Sequence, residues 1–251
     1  MGNIFVKDIY DHIDSFAPFS SAMSFDNVGL LVGDYGASVT KIVLALDITK
    51  NVIEEAKKTG AELIISHHPV IFDPLKSVDS DSVVYGLCRN GLNAICAHTN
   101  LDAANGGVND ILCTALELEN IQIWEPENIG RIGYTNRTFG DLVKLTANKL
   151  GVKGLNYIDC GRPCHKIAVL GGSGGSDIDF AVSSGADTLI TGEMKHNQYI
   201  YAKDRGLNVI AAGHFDTEYI IIPILADILS YKFRTLDVSV FYEPPYEIYT
   251  V

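Results

Sequence analysis

The sequence predicts an α/β protein with mainly parallel sheets. Three observations carry that prediction: short apolar runs alternate with amphipathic stretches, the alternation occurs twice, and polar residues gather where the apolar runs end. Strands alternating with helices build parallel sheets through right-handed crossovers, and such sheets collect ligands beyond the carboxyl ends of their strands.

In chain order, KIVLAL from Lys41 gives an apolar strand, and NVIEEAKK (51–58) suits an amphipathic helix. ELIIS and LNAICA then read as buried strands. The pattern returns with KIAVLG from Lys166, a helix over DIDFAVSS (177–184), and buried strands in TLIT and LNVIAA. In both copies a glycine, Gly60 or Gly185, lies nineteen residues after the lysine. RNGLNAICAH, ending at His98, also matches DRGLNVIAAGH, ending at His214. We infer two related units. A duplication can record fold history alone, but four polar clusters at four strand ends point to a shared use: HH, HTNLD, GE and GHFDTE. The longest apolar stretch, Tyr219–Leu229, is too short to span a bilayer and carries Asp227, so it reads as a core helix.

With 251 residues and 47% hydrophobic side chains, the chain can fill a sizeable core. Nineteen basic against thirty-one acidic residues leave a net charge of −12, which repels a phosphate backbone and disfavours a nucleic-acid role. The N-terminal MGNIFVKD has no secretory pattern, and Val6 stands where a myristoylation signal wants Ser or Thr; a cytoplasmic, membrane-free protein is expected. Five scattered cysteines suit reduced thiols better than a disulfide framework. Cys160 and Cys164 in CGRPC are half of a zinc motif whose second half is missing.

The clusters carry the chemistry. His67 and His68 follow a buried strand and precede Pro69, so the chain turns there and both rings can converge; alone, two adjacent histidines also read as loop residues. His98 and Asp102 are four residues apart, and so are His214 and Glu218. Plain structural alternatives exist: an Asn/Asp turn for HTNLD, helix electrostatics for Glu218. Together, however, the clusters supply three to four imidazoles and at least two carboxylates, which suits a pair of first-row metals. With no cysteine among them, the set is typical of open sites that leave room for water or substrate. Two such ions would share a water, lower its pKa and polarise a carbonyl or phosphoryl oxygen, so hydrolysis follows naturally.

DNVGLLVG (26–33), ISHHP (65–69), AHTNLD (97–102), GGSG (171–174), TGE (191–193) and GHFDTE (213–218) occur in an order that resembles the Nif-three-like family, also described as dinuclear metal-centre proteins or GTP cyclohydrolase I type two homologues. The motifs span nearly the whole chain, which resembles the short members lacking an inserted middle domain. The resemblance implies two interlinked α/β lobes in a toroidal homohexamer with metal pairs facing an inner cavity. Drawn on this sequence, residues 1–124 with 207–251 form the lobe carrying most ligands, and 125–206 the other. The resemblance also implies a ligand set of His67, His68, Asp102 as the bridging carboxylate, His214 and Glu218, holding two divalent ions; the His and carboxylate donors themselves suit zinc, iron and manganese alike. Thr217 stands where the family commonly has Ser, and the register of Glu218 is kept.

His98 reads first as a partner that orients a ligand, with a turn role or a weak ligand as alternatives. Glu193 stands in the second copy where His68 stands in the first, a candidate for moving protons or orienting a ligand histidine; His98 and Glu193 are the candidate catalytic residues. His196 either faces the same cavity or is a solvated helix residue. GGSGGSD (171–177) either cradles a phosphate or simply turns tightly. Asp26 or Asn27 either lines the core or reaches the metal site through a hydrogen bond. The expected function is metal-dependent hydrolysis of a small nucleotide-like or heterocyclic substrate; the alternative is a metal-carrying chaperone or scaffold without turnover.

Overall fold

A computed structural model of the chain describes residues 3–124 and 128–247; Met1 and Gly2 of the N-terminal stretch lie outside them. The fold is α/β, and it divides into two compact units, Met1–Asn105 with Ile221–Glu243 and Gly106–Ile220 with Pro244–Val251. The first contains a five-stranded sheet in the order Asp237–Val240, Lys41–Ala45, Leu63–Ser66, Asn93–Cys96, Gly29–Val32. Only the last pairing is antiparallel. The second contains six strands: Glu119–Ile123, Arg131–Tyr134, Lys166–Leu170, Thr188–Thr191, Asn208–Ala211, Asn156–Ile158. Its three central strands are parallel and the flanking ones antiparallel.

The repeated words of the sequence are repeated structure. Ile42 stands opposite Leu63 and Leu63 opposite Asn93; Ile167 stands opposite Thr188 and Thr188 opposite Asn208. The helices Lys50–Thr59 and Ile178–Ser183 follow the first strand of each copy, and Gly60 and Gly185 after them both take positive φ, 72° and 78°. The polar anchoring is duplicated too. Glu62 accepts the N–H groups of Thr40 and Lys41 at 3.0 and 2.9 Å, and Asp187 those of His165 and Lys166 at 2.9 and 3.0 Å. Each carboxylate thus satisfies backbone donors where a strand begins.

Every central strand is buried on both faces, which is why each reads as a continuous apolar run. In the first unit Val43, Ile64 and Ala94 pack with Val52, Ile53 and Leu87 from two helices. In the second, Ala168, Leu189 and Val209 pack with Ile178, Ala181 and Ala202, while Ile167, Val169 and Ile210 meet Leu112 and Leu142 on the other face. The helix Ile221–Lys232 takes up Ile221–Leu229 of the run read as a core helix, with Tyr219 and Ile220 in the turn before it. Among the described residues no helix is long and apolar enough to cross a membrane.

The seams differ from 124/125 and 206/207. Asn208–Ala211 pairs with Thr188–Thr191, and Glu119–Ile123 with Arg131–Tyr134, so both strands join the second sheet and the division falls at 105/106, 220/221 and 243/244. His214 and Glu218 therefore belong to the second unit.

Candidate metal centre

In the first unit three strand ends deliver the polar residues. Leu63–Ser66 runs into His67 and His68, Asn93–Cys96 into His98, and Lys41–Ala45 into Asp47. Each imidazole is held through Nδ1 by an oxygen that only accepts: His67 by the carbonyl of Ala97 at 2.8 Å, His68 by Asp47 at 2.8 Å, His98 by Asp26 at 2.9 Å. A ring that donates from Nδ1 in its neutral form keeps its lone pair on Nε2, the tautomer that ligates through that atom. The ring centroids lie 5.1 to 5.5 Å apart, and one ligating atom from each of the three sits within 4.8 Å of the others. The His67 side chain is fully buried, and its Nε2 is 3.5 Å from Oδ1 of Asp102.

Local chemistry fixes the loop that carries His98 and Asp102. Asn100, fully buried, accepts the N–H of His98 at 3.0 Å and donates to the carbonyl of Ala17 at 2.7 Å. Asp26 also accepts from the N–H and the hydroxyl of Thr99, at 3.1 and 2.5 Å. Burial pushes the Asp26 carboxyl up, but the bonds from His98 and Thr99 outweigh it and hold the group well below the usual carboxylate range. Asp26 is thus an anion at neutral pH, able to hold the His98 N–H. Of the two residues considered in DNVGLLVG, Asp26 touches a candidate ligand, whereas Asn27 donates to the carbonyl of Ile71. His98 itself stands with His67 and His68 as a third imidazole and not only as their support.

In the second unit the short helix His214–Glu218 begins just past Asn208–Ala211. Nε2 of His214 is 3.0 Å from Glu218 and Nδ1 is 3.1 Å from Glu193. The two carboxylates thus face opposite nitrogens of the His214 ring. His196 is exposed at the start of the helix His196–Asp204 and is not among the residues lining the cavity beside His214. The glycine loop serves packing: the N–H groups of Gly171, Gly172 and Gly174 donate to side-chain oxygens of Asn109, Thr217 and Thr191 at 2.8, 3.0 and 2.9 Å. Those three amides are engaged by the protein and are not offered to a phosphate. Gly172 also has φ +63°, and a Cβ there would meet Oε1 of Glu218 at 2.0 Å.

All five cysteines are free. Cys160 donates to the carbonyl of Leu207, and Cys164 accepts from the Thr188 hydroxyl, so CGRPC is used within the second unit's fold. Burial pushes both thiols up, away from the thiolate a metal needs. Sequence reasoning passed over Asp47 as a partner of His68. Its signal was position: it ends the KIVLAL strand as HH ends ELIIS.

A duplicated α/β fold whose strand ends carry three oriented imidazoles, an adjacent carboxylate and a His–Glu pair defines a protein equipped to ligate metal. The chain belongs to the Duf34/NIF3 (NGG1p interacting factor 3) family, whose model matches residues 4–244. A GTP cyclohydrolase 1 type 2 homolog from Clostridium perfringens is 36% identical over 248 residues, covering 94% of each chain. One of the same name from Methanocaldococcus jannaschii is 34% identical, covering 84% of this chain and 89% of that one. Among solved structures, reduced HcgD from Methanocaldococcus jannaschii superposes with a TM-score of 0.87 at 30% identity, covering 96% and 98%. The Staphylococcus aureus hypothetical protein SA1388 does so with a TM-score of 0.88 at 27% identity, covering 99% and 100%.

Proposed function

We propose that this chain is a metal-dependent hydrolase of a small nucleotide-like or heterocyclic substrate, working with two divalent ions per chain. The observation that carries the reading is the group His67, His68 and His98, three imidazoles each committed through Nδ1 to an oxygen acceptor. The donor set fits zinc, iron or manganese, being imidazole nitrogen and carboxylate oxygen without thiolate. His67, His68 and His98 would hold one ion with Asp102 beside them; His214 and Glu218 are the ligands that the family resemblance adds for a second. A divalent metal on such ligands supplies Lewis acidity and brings the acidity of water towards neutrality.

The chain's own residues supply orientation and proton handling. Ala97, Asp47 and Asp26 fix the three rings, so no reorganisation is needed when a ligand arrives. Glu193 holds Nδ1 of His214 through one oxygen and can exchange a proton at the other, its side chain being 58% exposed. The name carried by the relatives supports a nitrogen heterocycle as substrate. The homohexamer that the resemblance implies is read directly by light scattering.

Elemental analysis of the full chain, purified without added metal, tests the reading beside Asp102→Ala and His98→Ala. Two ions per wild-type chain, fewer in both variants, and turnover in a screen of hydrolysable heterocycles are expected. Absence of metal from the wild type even after reconstitution would refute it. Metal without turnover in any substrate class would leave a metal carrier or scaffold.

A further inference from the structure

Beside His214, wholly within the second unit, lies a cavity of about 440 Å³. That volume suits a ligand of one or two rings. Glu193 and Asp216 contribute carboxylates and His214 an imidazole, and among the described residues no lysine or arginine lines it. The rest offers flat or soft surface and further polar oxygens, from Tyr199, Tyr246, Met194 and Asn156.

The carboxylates act on the neighbouring phenols. Burial raises the Tyr246 hydroxyl above the ordinary 10.0, and the charges of Asp216 and Glu193 push it further in the same direction. Burial likewise raises Tyr199, a hydrogen bond with Asn156 partly offsets this, and Glu193 adds to the rise. Both hydroxyls therefore keep their protons.

We propose that this cavity recognises a flat nitrogen ring system rich in N–H donors or carrying delocalised positive charge, of the amidine or aminopyrimidine kind, and that it does not recognise a phosphate. An ionised carboxylate only accepts hydrogen bonds and pairs best with a planar donor fork. Aromatic rings and a methionine thioether provide the matching flat or adaptable faces. In the metal-free chain a phosphate group would meet two like charges, with no lysine or arginine among the described lining residues to offset them. The proposal deepens the hydrolase reading, on which it rests for the chemistry that follows binding, by assigning the recognised part of the substrate to the ring.

The test is calorimetric titration of the full, chelator-treated chain with benzamidine, benzoate and inorganic phosphate. The first two share a flat ring and differ in the sign of their charge. Benzamidine is expected to bind once per chain, and benzoate and phosphate not at all. Asp216→Asn, which keeps shape and removes charge, should weaken benzamidine about tenfold. Tyr246→Ala, in the C-terminal segment, should weaken it severalfold and carries the test if Asp216→Asn does not fold by circular dichroism. The proposal is overturned by benzoate binding as tightly as benzamidine, by no benzamidine binding, or by benzamidine binding that the folded variants leave unchanged.

The titration uses neither metal nor turnover, so the two readings fail separately. Benzamidine binding to a chain that never takes up metal would sink the hydrolase and keep the pocket. A metal-loaded, active enzyme indifferent to benzamidine would do the reverse.

Discussion

Asp26→Asn tests how the first unit prepares His98. One oxygen of Asp26 accepts from Nδ1 of His98 at 2.9 Å, and the other accepts the N–H and hydroxyl of Thr99 at 3.1 and 2.5 Å. Asparagine has one acceptor oxygen, so its NH₂ must face either the imidazole or the Thr99 amide. Facing the amide leaves a backbone N–H opposed by another donor, at about 1–3 kcal/mol. Facing the imidazole sets the NH₂ against the N–H of Asn27, which donates to the same oxygen at 2.8 Å, but it keeps both bonds from Thr99, and the ring accommodates it by moving its proton to Nε2, since neutral histidine can hold it on either nitrogen. The second arrangement should win, and it turns His98 from a metal ligand into a donor at the same atom. Losing a carboxylate that orients a ligand histidine lowers metal affinity about 10–100-fold, and the tautomer change argues for the upper end, about 2.7 kcal/mol. Zinc affinity by competition with a chromophoric chelator reads the first effect, and imidazole nitrogen NMR shifts read the second. Unchanged affinity, with Nε2 of His98 still unprotonated in the variant, would refute the reasoning.

Two further substitutions test the supports of the site and the fold. Gly172→Ala should lower stability by at least about 1–2 kcal/mol for the left-handed backbone alone, and should also displace Glu218, whose Oε1 would lie 2.0 Å from the new Cβ; urea unfolding and metal content check the two parts. Glu62→Gln should show its penalty at neutral pH. Burial raises the Glu62 carboxyl, but N–H bonds from Lys41 and Thr40 outweigh it and hold the group below the ordinary 4.5, so its stabilisation is present above that value and is lost as pH falls through the depressed one. Urea midpoints of the two proteins should approach each other as the pH falls below the ordinary carboxylate value, and a pH-independent gap would show that the charge is not the cause.

The parallel strands were legible because burial on both faces leaves four- and five-residue apolar runs that only turn residues interrupt. The duplication was legible for the same reason, and so was the gathering of His67, His68 and His98 at strand ends. The seams were not, because they depend on which strands pair, such as Ala211 with Asn156 across the second sheet's edge. Nor could the sequence decide the role of His98, since the choice between ligand and helper turns on what faces Nδ1, and Asp26 lies seventy-two residues away. The loop GGSGGSD kept two readings open because glycine permits both; side-chain oxygens of Asn109, Thr217 and Thr191 close the matter for three amides.

The two copies differ most where they correspond most closely. Twenty-six residues after the first lysine, one copy has His67 and the other Gly192. At Gly192 a Cβ would lie 2.5 Å from the carbonyl oxygen of Gly172 and 2.7 Å from Cα of His214, both backbone atoms that cannot rotate away. Close packing of the glycine loop on the His214–Glu218 helix therefore fills the space an imidazole would need, so the second copy carries a His–Glu pair and not adjacent histidines. It follows that Gly192→His, although it writes the first copy's residue into the second, should not gain a metal-binding ring. Pushing the backbone apart should destabilise the second unit by more than about 3 kcal/mol, the range of severe overpacking. Circular dichroism with urea and a zinc titration decide it: a variant as stable as the wild type, binding extra zinc through the new imidazole, would show that the strand end and not the packing around it sets what the site can hold.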